Sequence, residues 1–174
     1  MGTSVESIKE LRRVTCAGFS DCRAALEEAG GDLKRAVELL RKRGLEIAAE
    51  KQNRQAKAGR IEAYVHFDNK LGALLEVNCE TDFVARSDDF CQFTKDIAMQ
   101  IAASNPIYIK IEDVPKDDLK DLKDKELFYK AHCLLEQVFV KDPSITVKDY
   151  LGGLVAKLGE NIIIRKFVRL KIGE

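Results

Sequence analysis

Cysteine and histidine are the side chains in this sequence with the most direct chemistry. The five cysteines are Cys16, Cys22, Cys79, Cys91 and Cys133, and the two histidines are His66 and His132. A thiol beside an imidazole would provide a nucleophile, and clustered Cys and His residues would bind zinc. His132 and Cys133 are sequence neighbours, whose side chains on a helix point about 100° apart, and no CxxC motif occurs. The spacing therefore predicts neither a catalytic Cys–His pair nor a metal site.

Catalytic motifs of other kinds are also missing from the sequence. It contains neither the GxxxxGKS/T loop nor the GxGxxG loop that binds nucleotide phosphates. Acidic residues are numerous, but no two of them stand out as a general acid and a general base. We therefore expect a protein that is not an enzyme and that needs no cofactor. A thiol hydrolase using Cys79, Cys91 or Cys133 is the alternative from the enzyme class.

The segment 76–86 lies where a predicted strand passes into a predicted helix. It reads Glu-Val-Asn-Cys-Glu-Thr-Asp-Phe-Val-Ala-Arg. Such junctions present side chains in a defined geometry and often carry function. From position alone, Phe83 is predicted to be the first core residue of the helix, and Asp82 an ordinary carboxylate at a helix start. A binding role for these two residues is the alternative.

Apolar residues at helical spacing predict three short helices within residues 1–45. Ser20 is the predicted N-cap of the second helix and Asp32 that of the third, because short polar side chains satisfy the free N–H groups of a helix start. Gly44 is expected to end the third helix. Residues 46–59 are polar and rich in Ala, Lys, Arg and Gln, which is typical of a helical or flexible linker.

Residues 60–174 alternate between strand and helix patterns. A period of two on both sides of a turn at 68–70 predicts a β-hairpin over 61–78. After the hairpin, the pattern predicts a helix over 81–104, a strand over 107–111, helices over 126–139 and 146–158, and a strand over 162–172. The predicted fold class is α+β: a three-helix module (1–45), a linker (46–59) and an antiparallel-sheet core packed with helices (60–174).

The charge balance limits the expected partners. Among 174 residues, 29 Lys and Arg stand against 29 Asp and Glu, so the formal net charge is zero, whereas nucleic-acid-binding domains usually carry a basic excess. No apolar run is long enough to span a bilayer, and the polar start of the chain does not resemble a secretory signal. We expect a cytoplasmic protein with reduced thiols and with neither a membrane nor a nucleic-acid partner.

The six residues Thr81-Asp82-Phe83-Val84-Ala85-Arg86 closely resemble the core signature of the translation elongation factor Ts family of bacteria and organelles. Other segments resemble the same family in the same order along the chain: 8–12, 21–26, 31–32, 139–142, 158–162 and Arg165. Val138 and Lys166 depart from the pattern, since many members have Pro and Arg there. Residues 104–130 match no signature, and the short chain is expected to lack the long insertion of larger members.

The resemblance implies a fold and a function. The fold is a ubiquitin-associated-like three-helix module followed by an antiparallel-sheet core. The function is guanine nucleotide exchange on elongation factor Tu, a P-loop GTPase of translation elongation. A factor of this kind binds the GDP form, promotes GDP release and leaves a nucleotide-free GTPase that takes up GTP.

The resemblance also implies roles for individual residues. In P-loop GTPases a Mg²⁺ ion bridges the nucleotide phosphates and contributes to their binding. Asp82 and Phe83 would enter the GTPase domain near this ion and dislocate it. Thr81 and Val84 would set the angle of insertion. Arg86 would either brace the turn or contact the partner, and these two roles stay open.

Two further expectations concern partner surfaces. The loop Ala17-Gly18-Phe19 would supply a supporting contact in an exchange factor. In the alternative interpretation, the same loop makes residues 1–45 a non-catalytic ubiquitin-associated-like module that binds other proteins. We also expect a homodimer, because short members of the family pair through their sheets and residues 162–172 would offer an exposed apolar strand.

Overall fold

The computed structural model describes residues 4–15, 17–120 and 122–174, so that Cys16 lies outside the described residues. The helices are α1 (Val5–Thr15), α2 (Phe19–Glu28), α3 (Leu33–Lys51), α4 (Asp82–Ala85), α5 (Asp88–Ser104), α6 (Lys125–His132) and α7 (Val147–Leu158). The strands are β1 (Ala58–Val65), β2 (Leu71–Cys79), β3 (Val138–Phe139), β4 (Asp142–Thr146) and β5 (Ile163–Lys171). Short 3₁₀ turns cover Ile111–Asp113, Lys116–Leu119 and Leu134–Glu136. The predicted α+β class is confirmed.

The chain divides into two compact units. One consists of Met1–Arg54 with Leu151–Asn161, and we call it the helical unit. The other consists of Gln55–Tyr150 with Ile162–Glu174, and we call it the sheet unit. The helical unit thus includes a segment that is distant in sequence from the N-terminal helices. The domain boundaries placed at 45 and 59 from the sequence stay a prediction.

The core of the helical unit consists of apolar residues at helical spacing. Its buried members are Ile8, Leu11, Cys22, Ala25, Leu26, Ala29, Ala36 and Leu40. Asp32 caps α3 as predicted, because its carboxylate accepts the N–H groups of Lys34 and Arg35 at 2.8 and 3.1 Å. Helix α2 begins at Phe19 after an N-cap at Gly18, so the cap predicted at Ser20 is wrong.

Helix α3 continues past Gly44 to Lys51, so its predicted end at Gly44 is wrong. Gly44 serves close packing instead, since a Cβ atom there would lie 3.2 Å from the carbonyl carbon and oxygen of Gly152 in α7. The missing side chain lets the two backbones approach closely. Near its end α3 is held by Lys51, whose Nζ donates to the carbonyl of Gly159 at 2.7 Å. Part of the predicted linker is therefore helical.

The sheet unit contains an antiparallel sheet with the strand order β1-β2-β5, and the predicted hairpin is confirmed. Leu74 in β2 pairs with Ala63 in β1 and with Val168 in β5. Because side chains alternate along a strand, Leu75, Val77 and Cys79 all lie on the opposite, buried face. Helix α5 packs there with its buried residues Phe90, Phe93, Ile97 and Ile101. The core of this unit therefore lies between the sheet and α5.

The chain between α5 and β3 differs from its prediction. The strand predicted over 107–111 is reduced to one parallel β-bridge, between Tyr108 and Cys133. The N–H groups of residues 107 and 108 both donate to the carbonyl of His132, at 2.9 and 3.0 Å. A 3₁₀ turn follows at once. The helix predicted over 126–139 ends at His132, because Cys133 adopts an extended backbone with φ −97° and ψ 116°. Alternation and helical spacing are ambiguous over such short apolar runs.

Candidate functional site

The segment Thr81–Arg86 forms a short helical turn that connects β2 to α5. Thr81 adopts an extended backbone, with φ −130° and ψ 152°, and caps α4. Its hydroxyl oxygen accepts the N–H of Val84 at 3.3 Å. The next helix, α5, begins only after Ser87, so the single helix predicted over 81–104 is two helices. The turn of α4 is thus separated from α5 and presents its own set of side chains.

Residues on this turn switch from exposed to buried within one position. Thr81 and Asp82 are exposed, and Phe83 is 86% exposed. Val84 and Ala85, which follow, are each only 5% exposed. The prediction from position alone that Phe83 is the first core residue is therefore wrong, and Val84 takes that place. The turn is anchored by small buried side chains while its largest apolar side chain is left in solvent.

The surroundings of Phe83 are acidic. Residues 80–89 contain the carboxylates Glu80, Asp82, Asp88 and Asp89 against the single guanidinium of Arg86. Asp88 and Asp89 occupy the first turn of α5, where the helix dipole favours negative charge. Arg86 is exposed and closes α4 through its backbone, whose N–H donates to the carbonyl of Phe83 at 3.3 Å. The exposed ring thus stands in a stretch of the chain in which carboxylates outnumber cations.

Ser87 belongs to this site, although the sequence analysis did not single it out. It is the N-cap of α5, with φ −66° and ψ 147°, and its hydroxyl oxygen accepts the N–H of Phe90 at 3.4 Å. The same hydroxyl donates to the carbonyl of Val84 at 2.8 Å. A serine followed directly by two acids is a helix-start pattern, and this signal was available in the sequence.

Comparison with known proteins shows what this arrangement belongs to. The family described as Elongation factor TS matches residues 7–128. The protein named elongation factor Ts from Caldanaerobacter subterraneus subsp. tengcongensis is 47% identical over an alignment of 196 residues, gaps included. This alignment covers 98% of this chain and 97% of that protein. The corresponding protein of Thermodesulfovibrio yellowstonii is 44% identical over 198 residues, covering 100% of this chain and 98% of that protein. The protein of Fervidobacterium nodosum is 46% identical over 197 residues, with both chains fully covered.

The chain belongs to the elongation factor Ts family. Membership confirms the resemblance carried by the Thr81–Arg86 segment and places the chain among the factors of translation elongation. The matched residues 7–128 include the Thr81–Arg86 segment with the exposed Phe83. Within the described part of the chain, no helix combines the length and apolar character needed to cross a bilayer.

The predicted supporting loop of this elongation factor Ts family member lies in the helical unit. Gly18 adopts an extended backbone, with φ −61° and ψ 156°, and ends the loop that precedes α2. Ala17 is partly buried and packs against the core of the unit. Phe19, the first residue of α2, is 49% exposed. The structure therefore leaves one aromatic side chain of this loop accessible to a partner.

Cys79, Cys91 and Cys133 are the three thiols of the alternative enzyme function. Burial, followed by the charge of Glu136, raises the pKa of the Cys133 thiol to about 11. Cys79 is buried and its thiol donates to the carbonyl of Thr81 at 3.2 Å. Cys91 is half-buried and accepts a hydrogen bond from Arg60 at 2.7 Å. These partners are not histidines, so the thiol hydrolase alternative gains no support.

The two histidines pack against aromatic rings. Nδ1 of His66 lies 3.0 Å from the hydroxyl of Tyr64, and the ring of His132 lies 4.5 Å from that of Phe128. Among residues 4–15, 17–120 and 122–174, no three His, Cys, Asp or Glu side chains gather closely enough to hold a metal ion. The described residues therefore offer no evident ligand set for a cation.

The sheet of this family member presents an apolar face on the side away from α5. Its exposed residues are Ile61, Val65, Leu74, Val168 and Leu170, and we call this surface the open sheet face. Leu74 and Val168 are paired across β2 and β5, and Gly72 is paired with both Val65 and Leu170. The last strand thus exposes Val168 and Leu170, whereas Ile164 at its start is buried. A continuous apolar surface of this kind is typical of a protein interface.

Proposed function

We propose that this protein is a guanine nucleotide exchange factor for elongation factor Tu in translation elongation. The observation that supports the proposal is the position of Phe83, which is 86% exposed on a capped turn of the segment that is typical of the family. A protein that keeps a phenylalanine ring in solvent has that ring available for a partner. The relatives described above carry the name elongation factor Ts, and the name of the partner GTPase comes from that family.

In the proposed mechanism, Asp82 and Phe83 enter the GTPase domain of the GDP-bound factor near its Mg²⁺ site. The ring of Phe83 displaces the part of the partner that helps to hold the ion. Asp82 places a carboxylate next to this ring. Loss of the Mg²⁺ contacts would weaken phosphate binding, since in P-loop GTPases this ion neutralises negative charge on the nucleotide phosphates. GDP then leaves, and the nucleotide-free complex accepts GTP. The acceleration is an effect on the partner's nucleotide affinity, so no bond is broken by this chain.

The remaining predicted site residues would act by orienting the wedge formed by Asp82 and Phe83. Thr81 starts the turn through its bond to the N–H of Val84, and the burial of Val84 anchors it to the sheet unit. These two residues therefore set the angle at which the ring leaves the surface. Arg86 is exposed and free to contact the partner in addition to its backbone role in the turn.

Exchange factors are expected to weaken nucleotide binding by more than one phenylalanine supplies. Burial of a Phe side chain contributes about 2–3 kcal/mol, which is roughly a hundredfold in affinity at about 1.4 kcal/mol per factor of ten. Other contacts must favour the nucleotide-free form, and the exposed Phe19 of the Ala17-Gly18-Phe19 loop is one candidate. Because coupling is reciprocal, GDP must weaken the binding of this protein by the same factor.

The experiment that tests the function is release of a fluorescent GDP analogue from elongation factor Tu in the presence of excess unlabelled GDP. We expect the intact protein to accelerate release in a concentration-dependent, saturable manner. Release at the intrinsic rate, with the same protein shown to be folded, would rule out exchange activity. In that case the exposed Phe19 would favour the alternative function, a ubiquitin-associated-like module that binds proteins without promoting exchange.

We further propose that the protein is a homodimer in which two open sheet faces pack against each other. The support is the apolar character of that face, whose members Leu74 and Val168 are 50% and 45% exposed and adjacent across paired strands. A face that is complementary to itself satisfies the two-fold symmetry of most dimers. The molecular mass from light scattering at micromolar concentration tests this, and a mass of one chain would rule the dimer out.

A further inference from the structure

The direction of the Phe83 ring depends on its backbone rather than on packing of the ring. With 86% of its surface exposed, the residue has little contact that could hold it in place. Its position is therefore set by the two ends of the turn on which it stands. Thr81 fixes the beginning through its bond to the N–H of Val84 at 3.3 Å. Val84 and Ala85 are buried in the middle of the turn, and the end of the turn determines how it is held against α5.

Ser87 makes the connection at that end. Its hydroxyl donates to the carbonyl of Val84 at 2.8 Å, and its backbone N–H donates to the same carbonyl at 3.0 Å. The hydroxyl oxygen also accepts the N–H of Phe90 at 3.4 Å, and its backbone carbonyl accepts the N–H of Cys91 at 2.9 Å. One side chain thus bonds the last part of α4 and the first turn of α5 together.

Both ends of this bridge are buried in the sheet unit. Val84 is 5% exposed and Phe90 is fully buried at 0% exposure. Phe90 belongs to α5, which packs on the buried face of the sheet. The hydroxyl of Ser87 therefore transmits the position of the core to the carbonyl of Val84, one residue beyond Phe83.

We propose that Ser87 is a positioning residue for exchange: its hydroxyl holds the turn of α4 against α5 and so directs the ring of Phe83. The inference rests on the function proposed above and adds to it a residue outside the Thr81–Arg86 signature. A ring already held in its bound direction loses less conformational freedom when it enters the partner, and this preorganisation favours both binding and the step that follows.

Three substitutions separate this role from ordinary helix capping. Ser87→Thr keeps an oxygen that can accept from Phe90 and a hydroxyl that can donate to Val84. Ser87→Asp keeps the cap, since carboxylates are good N-caps, but an ionised carboxylate cannot donate to a carbonyl. Ser87→Ala loses both interactions. A matched control is Ser104→Ala, which removes a serine hydroxyl at the other end of α5, where it lies 3.0 Å from Nε2 of Gln100.

The first readout is GDP release from elongation factor Tu over a range of concentrations of each variant. We expect the maximal release rate to fall about fivefold for Ser87→Ala and Ser87→Asp, equivalent to about 1 kcal/mol. Ser87→Thr and Ser104→Ala should keep the wild-type rate. Thermal unfolding should show a lower midpoint for Ser87→Ala but not for Ser87→Asp, because capping is retained. A wild-type release rate for Ser87→Asp or for Ser87→Ala would overturn the proposal.

The second readout does not depend on exchange. The sequence contains no tryptophan, so Phe83→Trp introduces a single indole at the position of the wedge. Time-resolved fluorescence anisotropy of this variant alone, with Ser87→Ala, and with Ser87→Asp reports the amplitude of fast ring motion. We expect a larger amplitude when Ser87→Ala or Ser87→Asp is added to Phe83→Trp. Addition of Ser87→Thr should leave the amplitude unchanged. Equal amplitudes in all variants would refute the positioning role, even if the wild-type protein proved to lack exchange activity.

Discussion

Replacement of Phe83 by alanine is the most direct test of how this protein acts. The side chain is 86% exposed, so its removal takes almost nothing from the core of the free protein. The neighbouring anchor Val84 is 5% exposed and is unchanged by the substitution. We therefore expect Phe83→Ala to unfold at the wild-type temperature while losing function. A loss of exchange activity without a loss of stability distinguishes a residue that inserts into the partner from one that supports the fold.

The size of the effect follows from the area that a partner can still bury. Full burial of a Phe side chain contributes about 2–3 kcal/mol. Because 86% of Phe83 is exposed in the free protein, its burial in the complex can contribute about 1.7–2.6 kcal/mol. At about 1.4 kcal/mol for each factor of ten, the expected loss is about 15- to 75-fold. The loss should appear in the release rate divided by the concentration of half-saturation, which reports transition-state stabilisation relative to the free proteins.

The assay is stopped-flow release of a fluorescent GDP analogue from elongation factor Tu, with excess unlabelled GDP to prevent rebinding. Phe67→Ala is a matched control, because Phe67 is 87% exposed at the hairpin turn and is likewise a phenylalanine of the sheet unit. We expect Phe67→Ala to release GDP at the wild-type rate. The wedge would be refuted if Phe83→Ala were as active as wild type, or if Phe67→Ala lost as much activity as Phe83→Ala.

Four further predictions concern packing, assembly and pH. Gly44→Ala should lower the free energy of unfolding by about 1–2 kcal/mol, because its Cβ would press on the backbone of α7. The control Gly153→Ala, whose Cβ meets its nearest atom only at 3.9 Å, should be neutral or gain up to about 1 kcal/mol. Gly59→Ala should lower the free energy of unfolding by at least about 3 kcal/mol, since φ at this position is +150° and the new Cβ would overlap a carbonyl oxygen of β2. Leu74→Asp, on the open sheet face, should halve the mass measured by light scattering without changing the circular dichroism spectrum. Burial raises the pKa of the Cys133 thiol from 9.0 to about 11. The contribution of this thiol to the free energy of unfolding should therefore be complete below pH 9.0 and be lost as the pH rises to about 11. Cys133→Ala should not show this decline.

Each of these predictions can fail in a defined way. Equal unfolding free energies for Gly44→Ala and Gly153→Ala would contradict the close approach of α3 and α7. A Gly59→Ala protein as stable as wild type would contradict the backbone geometry at the start of β1. A Leu74→Asp protein that still forms dimers would place the contact elsewhere. Identical stability profiles between pH 8 and 11 for wild type and Cys133→Ala would show that this thiol titrates in the same range when folded and unfolded.

Local sequence patterns were sufficient for much of the fold. The cap at Asp32 and the hairpin are confirmed, because capping and tight turns depend on interactions between residues that are close in sequence. The family was also evident from the Thr81–Arg86 segment together with matching segments elsewhere in the chain. Where the pattern was local but incomplete, prediction failed. Residues 107–111 alternate like a strand, but they form only one β-bridge, and the N–H groups of residues 107 and 108 bond to the end of α6.

Other features depend on contacts between distant residues, which the sequence alone does not reveal. The sequence predicts a helix end at Gly44, yet Gly44 packs closely against Gly152. The position of α7 decides between these two roles, and the local sequence does not contain it. The alternation of apolar residues in β1 predicted a strand but not which face is covered. Ile61 and Val65 are exposed because α5 packs on the other side of the sheet.

The candidate site shows the same division. By its sequence, the segment identified the family and drew attention to Thr81, Asp82 and Phe83. Helical spacing placed Phe83 in the core, whereas the structure buries Val84 and leaves Phe83 in solvent. The reason is that Ser87 interrupts the helix, so that α4 and α5 do not share one face. The sequence by itself thus determined the family and the local elements, while the tertiary structure decided which side chains those elements expose, because burial depends on what packs against each face.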